Sequence, residues 1–293
     1  SDECHVDLHK LPHRIIVRIM TFMGERSLQL LRKACASVPS DHCFFRLHEH
    51  KDRNCEIYVG FVFQKDYLSW KIFIVSFLKT LAISLFEFND NLFFVSLHIR
   101  EERVDQFLDC IKPLVQKSTF DKMECEASQS NIIRILAQIF KGKQVHSIKI
   151  KTDLRSDFKP WIDLAINVKT NSLEYVLRFF TKEEVSFVLY LADLVNYLRL
   201  TIQNFKNKRR NIMPLVEEIL SRKCHRLQID EESSPQARLV SISHNDAEKL
   251  IQIFHRLDKK VSFVAHSDTE PFYAQIGRYK VEIMNEKVSI KHL

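Results

Sequence analysis

The chain has 293 residues, of which 45% are apolar and 28% are charged, and its formal net charge is +7. This length can bury a substantial core, and the apolar content excludes an intrinsically disordered chain. The basic residues are spread along the chain, which favours a solubilising surface over nucleic-acid binding.

The first predicted elements are two short helices near the N-terminus. Leu11-Pro12 fits a helix start, because proline is tolerated in the first turn. The apolar residues that follow are spaced as one helical stripe, and Gly24 falls where a helix end is expected. A second stripe starts at Leu28 and runs until Pro39. The apolar seam of this pair needs a further surface to bury it, either another part of the chain or a partner.

A β-rich region comes next. Residues 55–63 and 68–75 are β-rich runs separated by four residues, which predicts a β-hairpin. The longest apolar stretch, residues 72–86, is interrupted by polar residues and at about 15 residues is too short to span a bilayer. The polar N-terminus predicts no secretory signal. We therefore expect no membrane partner.

Strands and helices alternate from about residue 92. Strand patterns cover residues 92–99, 120–125 and 145–150, and helical stripes lie between them over residues 104–115 and 132–140. The first two steps recur at about 26–28 residues, a spacing typical of solenoids with one strand and one helix per unit. The signals expected at the helix ends are Glu101-Glu102, Ser130 and Gly142.

The same order recurs later in the chain, where an asparagine can cap each helix and a strand follows it. These later elements are a helix over 212–220 after Asn211, a strand over 225–229, a helix over 250–257 after Asn245, and a strand over 261–264.

The central segment is open to two interpretations. One has strands over 162–168, 185–191 and 197–202, with a helix over 173–180. The other has a helix through 182–200, because Thr181 and Glu184 have the spacing of a capping box.

The last elements are two alternating runs, residues 279–283 and 287–291, on either side of Asn285. They predict a hairpin that covers the last strand of the solenoid. The sequence as a whole predicts an α+β chain. A small N-terminal helical segment, residues 1–48, precedes an irregular leucine-rich-repeat-like β/α solenoid over residues 49–293.

The N-terminal segment resembles an F-box over roughly residues 8–48. Leu-Pro opens the first helix, and the second helix ends in Leu-Arg-Lys-Ala-Cys at Cys35. The resemblance implies a three-helix segment that binds a Skp-type adaptor and, through it, a cullin. The residues expected at the adaptor contact are Leu11, Pro12, Ile15, Ile16, Ile19, Phe22, Leu28, Leu31 and Cys35.

The remainder of the chain is similar to the F-box-associated domains, of FTH or related type, of the large nematode F-box families. The likeness lies in the irregular β/α units and in the closing hairpin of alternating Glu, Lys and Ile. It implies a substrate-recognition subunit of an SCF-type ubiquitin ligase, whose C-terminal domain binds a target protein.

Two departures from the F-box pattern support an alternative function. Arg14 stands where the family often has an acidic residue, and Val38 stands near a position where an aromatic residue is common. The alternative is a non-catalytic protein that binds or sequesters a partner and carries a vestigial F-box.

Catalytic motifs are sparse in this sequence. The four glycines, Gly24, Gly60, Gly142 and Gly277, are far apart. A phosphate-binding loop needs closely spaced glycines, and a nucleophile elbow needs glycine on both sides of serine. We therefore predict no enzymatic activity and no cofactor.

The metal and thiol patterns are also weak. His42, Cys43, His48, His50 and Cys55 are zinc-type ligands, but their spacing matches no recognised zinc motif, so we predict no metal. The seven cysteines are scattered and odd in number, which favours a reduced compartment, the cytoplasm or the nucleus.

The charged clusters are predicted to be solvated. Adjacent carboxylates, such as those of Glu183 and Glu184, are usually surface groups. The basic run from Lys206 to Arg210 is either a solvated turn or a phosphate-binding or nuclear-import segment.

Overall fold

Strands form in this chain where apolar and polar residues alternate, and helices form where apolar residues recur every three or four positions. A computed structural model gives the arrangement of these elements. It describes residues 40–50, 54–62, 86–89, 92–153, 157–203, 211–232 and 241–293. The described residues form a mixed α/β structure with six α-helices and a large sheet. The chain divides into two compact units, Ser1–Met123 and Glu124–Leu293.

The described part of the first unit is built on an antiparallel sheet in the order β1-β2-β4-β3. A short 3₁₀ turn, Glu101–Arg103, leads from this sheet into an amphipathic helix whose apolar face is buried. The elements are β1 (Ser40–Glu49), β2 (Asn54–Val62), β3 (Phe86–Asn89), β4 (Leu92–Arg100), α1 (Val104–Lys117) and β5 (Ser118–Glu126), the last of which crosses the division between the units.

One expectation for the first unit is confirmed in part and another is wrong. Residues 54–62 form strand β2, which pairs with β1 and β4, and the predicted hairpin partner, residues 68–75, lies outside the described residues. Residues 40–48, which we assigned to the helical segment, lie in β1. The signal for β1 is a period of two, since Phe45 and Leu47 are buried and Arg46 is exposed. The predicted boundary at residue 48 stays a prediction, because residues 1–39 lie outside the described part.

The second unit alternates helices and strands and ends in three strands. Its elements are α2 (Ser130–Ile139), β6 (Val145–Lys151), α3 (Phe158–Asn167), β7 (Ser172–Leu177), α4 (Lys182–Leu194), β8 (Tyr197–Ile202), α5 (Met213–Leu220), β9 (Arg226–Glu231), α6 (His244–Leu257), β10 (Ser262–His266), β11 (Phe272–Ile276), β12 (Tyr279–Met284) and β13 (Lys287–His292).

Strands β6 to β10 are parallel neighbours in chain order, and a helix connects each to the next. Ser147 pairs with Ser172, and Ser172 pairs with Tyr197, so each of these steps advances 25 residues. This is close to the predicted spacing. Consecutive helices contact one another, so α2 to α6 form a single layer.

The core of the second unit lies between this helix layer and one face of the sheet. Strand residues such as Ile148, Leu200 and Leu227 alternate with half-exposed polar residues and are fully buried. The helices contribute large buried side chains, among them Trp161 and Phe254. Because all the helices cover one face, the polar residues of the strands lie on the other.

In the central segment, two predicted strands are helices and the predicted helix is a strand. Residues 162–167 lie in α3 and residues 185–191 in α4, whereas residues 173–177 form β7. Only the predicted strand over 197–202 is confirmed. Strand β7 shows no simple alternation, because Tyr175, Val176 and Leu177 are all buried. The alternative helix from residue 182 is correct in its start, since the Thr181 hydroxyl accepts from the N–H of Glu184 at 3.1 Å.

The other predicted helix starts have mixed outcomes. Asn211 is not the N-cap, because Ile212 occupies that position, although the Asn211 carboxamide accepts from the N–H of Met213 at 3.1 Å. Ser130 is not the N-cap, because Gln129 occupies that position, and its side chain makes no capping hydrogen bond. Asn245 lies inside α6, which begins with a capping box between Ser243 and Asp246.

The closing hairpin is confirmed. Strands β12 and β13 flank Asn285 and Glu286, whose φ angles of 51° and 60° suit the tight turn between twisted strands. Strand β13 then pairs with β10, the last parallel strand. The hairpin therefore covers the edge that the parallel strands would otherwise leave open.

Candidate functional site

The predicted adaptor-binding residues, from Leu11 to Cys35, lie outside the described residues, as does the basic run from Lys206 to Arg210. The candidate surface in the described part is the polar face of the second unit's sheet, opposite the helices. We call it the open face. Its main residues are Lys149, Lys151, Glu174, Tyr197, Arg199, Thr201, Arg226, Gln228, Asp230, Lys280, Glu282, Lys287, Ser289 and Lys291.

Strand register places these residues in rows. Lys149 pairs with Glu174 across β6 and β7, Glu174 pairs with Arg199, and Arg199 pairs with Gln228. Side chains at paired positions of one face lie close enough to interact. The repeat therefore converts a polar residue at one position of each strand into a continuous line of charged and hydrogen-bonding groups.

An ion-paired network runs along this line. The Lys149 ammonium lies 3.1 Å from a Glu174 carboxylate oxygen, and the Arg199 guanidinium lies 3.8 Å from the other. Arg199 Nε donates to Asp230 at 2.5 Å, and the Thr201 hydroxyl donates to Glu174 at 3.1 Å. Arg199 is 43% exposed, so this charge remains accessible to a partner.

An aromatic residue borders the network on one side. The Tyr197 hydroxyl donates to the carboxamide of Gln228 at 2.8 Å, and the Arg226 guanidinium lies 4.4 Å from the centre of the Tyr197 ring. This cation–π geometry keeps a planar cationic surface beside an aromatic ring. Such pairs are common where proteins bind other proteins.

The hairpin end of the open face is more basic. The Lys280 ammonium lies 3.1 Å from Glu282, but Lys287 and Lys291 are exposed and have no ion pair within the described residues. The exposed aromatic ring of Tyr273 lies 5.1 Å from the Lys280 ammonium. The charged groups of the open face are mostly ion-paired over β6 to β9, whereas Lys287 and Lys291 make the face positive over β13.

A second cluster lies where the parallel strands end, and it is centred on Arg178. The Arg178 guanidinium donates to Glu126 at 2.9 Å, to the carbonyl of Thr152 at 3.2 Å and to Gln203 at 3.0 Å. Burial lowers the pKa of Arg178, and the charge of Glu126 acts in the opposite direction. Since the guanidinium makes these three bonds at once, its role is to join the ends of neighbouring strands.

Glu184 is a buried carboxylate beside Arg178. It is 1% exposed and accepts from the Tyr175 hydroxyl at 3.0 Å. Three consecutive backbone N–H groups also donate to it, from Arg178 at 2.9 Å, Phe179 at 2.8 Å and Phe180 at 2.6 Å. We expected this carboxylate on the surface, and that expectation is wrong. Glu184 instead fixes the turn between β7 and α4, where Phe180 has a φ of 54°.

Tyr175 connects this turn to the end of the preceding strand, β6. Its hydroxyl lies 2.8 Å from that of Thr152. Burial raises the pKa of the Tyr175 phenol above its usual range, and the nearby negative charge of Glu184 raises it further. The phenol therefore stays protonated in the folded protein at pH values where it ionises in the unfolded chain.

This shift predicts a loss of stability at alkaline pH. The unfolded phenol loses its proton near pH 10, whereas the folded phenol keeps it. The stabilisation is fully present below about pH 10 and is lost as the pH rises from there towards the folded pKa, at about 1.4 kcal/mol per pH unit. Urea unfolding of wild type and Tyr175→Phe at several pH values up to about 11.5 measures it. The variant should show a slope shallower by that amount, and equal slopes would contradict the prediction.

The amino ends of the parallel strands form a shallow groove of about 390 Å³. Its lining includes carboxamide and imidazole groups, among them Asn171, Asn196 and His225, and it contains no carboxylate or thiol. These groups can hydrogen-bond to a polar chain.

The thiol and metal patterns are resolved in part. Cys224 is fully buried, and burial raises its pKa, while the adjacent His225 is exposed, so the two do not form a reactive pair. The rings of His48 and His50 stack at 4.5 Å. No group of three potential metal ligands comes together within the described residues.

Comparison of the chain with family models, with curated proteins and with solved structures gives no match. Among the described helices, none is long and apolar enough to cross a membrane.

Sequence reasoning missed the open face and the Arg178 cluster. A signal for the first was present, because Lys149, Glu174, Arg199 and Gln228 follow one another at intervals close to the repeat length. Aligning the strands by their buried residues would have placed these four in one row. The partners of Arg178 had no such local signal.

Proposed function

We propose that this protein is the substrate-recognition subunit of an SCF-type ubiquitin ligase. The segment before strand β1, residues 1–39, acts as an F-box that binds a Skp-type adaptor and, through it, a cullin. The following domain is an irregular leucine-rich-repeat-like solenoid of FTH type that binds the target protein. The proposal rests on the F-box pattern of the sequence together with one structural observation, the open face.

The open face supports target binding because of its extent and chemistry. Each strand from β6 to β9 contributes polar side chains to rows that run across the strands, and the half-exposed Arg199 lies at their centre. Repeat proteins use such extended surfaces for binding partners. A target with an acidic segment would complement Lys287 and Lys291, which have no ion pair in the described part of the chain.

The adaptor contact is tested by mixing the purified chain with a Skp-type adaptor and applying size-exclusion chromatography. Wild type should co-elute with the adaptor at micromolar concentration. Leu11→Ala with Pro12→Ala should weaken binding by at least about 30-fold, since truncating a buried leucine costs about 2 kcal/mol or more. Lys10→Ala is the matched control and should bind as wild type does.

Two outcomes separate this function from the alternative. Failure of wild type to bind the adaptor would favour a sequestering protein with a vestigial F-box. The departures from the F-box pattern at Arg14 and Val38 support that alternative. Equal adaptor binding by wild type and the double variant would overturn the predicted contact residues.

The target-binding surface is tested by affinity purification and mass spectrometry. Lys287→Glu with Lys291→Glu should lose the target and keep the adaptor, whereas the Leu11 and Pro12 variant should lose the adaptor and keep the target. Loss of both partners in either variant would indicate unfolding, which circular dichroism of the same samples detects. Retention of the target by the lysine variant would exclude the basic end of the open face.

A further inference from the structure

One row of the open face differs from the others in its charge. Arg226 of β9 pairs with Ser262 of β10, and Ser262 pairs with Lys291 of β13. Lys291 in turn pairs with Lys280 of β12. We call these four residues the basic row. It contains three cations and no carboxylate, and because neighbouring strands lie about 4.8 Å apart, its members are close together.

The charges of the basic row are not compensated in the way that other charges of the open face are. Over β6 to β8, Lys149, Lys151 and Arg199 each lie 3.1 Å or less from a carboxylate oxygen. Arg226 and Lys291 are exposed, and neither forms an ion pair within the described residues. Their two charges are therefore available to an anion from outside the chain.

The pairing of Lys291 with Lys280 adds to this excess of positive charge. Like charges directly opposite one another destabilise a sheet. The Lys280 ammonium lies 3.1 Å from Glu282, so the charge of Lys291 is the one left without a counterion in the described part of the chain. Natural proteins break such local rules mainly at functional sites. An anion bound beside Lys291 would remove the repulsion.

Ser262 lies at the centre of this charge. Its side chain is half-exposed, and its hydroxyl makes no hydrogen bond within the described residues. Arg226 and Lys291 flank it on the two neighbouring strands, and both side chains are long enough to reach an anion that lies over Ser262. Two cations and one hydroxyl donor thus surround a single position on the face.

Tyr197 keeps the guanidinium of Arg226 close to this position. The Tyr197 hydroxyl donates to Gln228 of β9, so the ring leans towards β9. The Arg226 guanidinium lies 4.4 Å from the centre of that ring and therefore stays over its own strand, next to β10. A stacked guanidinium keeps the N–H groups of its edge free to donate to an anion.

This set of donors matches a phosphate monoester better than a carboxylate. A phosphorylated side chain carries a charge of about −1.5 to −2 at pH 7 and has three acceptor oxygens. It can neutralise both Arg226 and Lys291 and accept from the Ser262 hydroxyl. A single carboxylate would leave one of the two cations unpaired.

The surroundings of the position favour a polypeptide as the carrier of the phosphate. In the next row, Val264 and Ser289 are paired, half-exposed and uncharged, so they offer contacts to a neutral chain rather than to a second phosphate. Arg226 and Lys291 are exposed, whereas small metabolites bind mainly in enclosed clefts. A phosphate on a short side chain would bring the partner's backbone close to Val264 and Ser289.

We propose that the basic row binds a phosphoserine or phosphothreonine of a partner polypeptide, with the phosphate over Ser262 between Arg226 and Lys291. Where that partner is the ligase target, the inference rests on the proposed function and adds that the target is recognised in its phosphorylated form. The binding site itself requires neither adaptor nor cullin.

The test is fluorescence polarisation of labelled peptide mixtures with the full chain, in the absence of adaptor. Each mixture has random residues around one fixed position, which is phosphoserine, aspartate or serine. Wild type should bind the phosphoserine mixture at least tenfold more tightly than the other two. Failure to do so would overturn the inference and leave the adaptor test of the proposed function unaffected. Equal binding of the aspartate mixture would indicate an acidic partner, and tighter binding of a labelled single-stranded oligonucleotide would indicate a nucleic acid; either result would overturn the proposal.

Two substitutions of Ser262 test the position of the phosphate. Ser262→Asp places a carboxylate between the two cations, whereas Ser262→Asn has the same shape without the charge. The aspartate variant should bind the phosphoserine mixture at least tenfold more weakly than the asparagine variant. Equal binding by the two would rule out a phosphate over Ser262.

Three substitutions that each remove one positive charge separate the site from the net charge of the chain. Arg226→Gln and Lys291→Gln should each weaken phosphoserine binding at least tenfold. Lys249→Gln is the matched control, because Lys249 is exposed on α6, in the helix layer on the other side of the sheet. It should bind as wild type does, and circular dichroism verifies the folding of all the variants. An equal loss in all three would contradict a specific site.

Discussion

Replacing Glu184 with alanine should lower the free energy of unfolding by about 3–5 kcal/mol, because it leaves buried donors without their acceptor. Those donors are the Tyr175 hydroxyl and three consecutive backbone N–H groups at 2.6–2.9 Å from the carboxylate. Water cannot easily replace the carboxylate, since Glu184 is 1% exposed. Urea denaturation followed by circular dichroism measures the loss.

Glu183 provides the matched control for this variant. It has the same chemistry one position earlier, but it is exposed. Glu183→Ala should therefore change the free energy of unfolding by no more than about 0.5 kcal/mol. Glu184→Gln should fall between the two, because the carboxamide keeps one acceptor oxygen and turns an N–H₂ group towards the remaining donors. Equal effects of the Glu183 and Glu184 alanine variants would refute the role of the buried carboxylate.

Replacing Arg178 with methionine should cost about 2–4 kcal/mol of stability. Methionine keeps much of the side-chain volume but removes the hydrogen bonds to Glu126, Thr152 and Gln203. A hydrogen bond to a charged group contributes about 1.5–3 kcal/mol, and bonds that share one guanidinium are less than additive. The Arg178 side chain is only 14% exposed. Arg178→Lys should recover little, because a single ammonium cannot reproduce the planar fork.

Arg256 is a suitable control for Arg178. It forms an ion pair with Glu217 at 3.2 Å, but both side chains are largely exposed. Arg256→Met should therefore cost less than about 1 kcal/mol. A loss for Arg178→Met no greater than this would mean that its hydrogen bonds merely replace equivalent bonds to water.

The repeat and the closing hairpin were predictable from sequence because their signals are local. The alternation in residues 145–150 and 279–291 reflects one buried and one polar face, and the structure has strands there. The turn at Asn285 also has a local cause, since asparagine tolerates a positive φ. Each of these elements depends on residues within a few positions of one another.

The errors occur where tertiary burial overrides such patterns. Strand β7 lost its alternation because Val176, on the open face, is buried as fully as Leu177. Apolar residues 162–168 suit a strand equally well by composition, and only the packing of α3 against its neighbours decides for a helix. Arg178 could not be identified at all, because Gln203 and Glu126 lie 25 and 52 positions away in the chain.

The connections of the repeat differ in length between the two ends of the parallel strands. From helix to strand they remain short throughout, as between Leu194 and Tyr197 or Leu257 and Ser262. From strand to helix they lengthen along the chain, from Leu177–Lys182 to Ile202–Met213 and Glu231–His244. The short helix-to-strand connections thus keep the strands in register, while the additional residues are accommodated in the strand-to-helix connections. Peptide insertions should therefore be tolerated in the strand-to-helix connections, where they would change the surface of the molecule without disturbing its repeat.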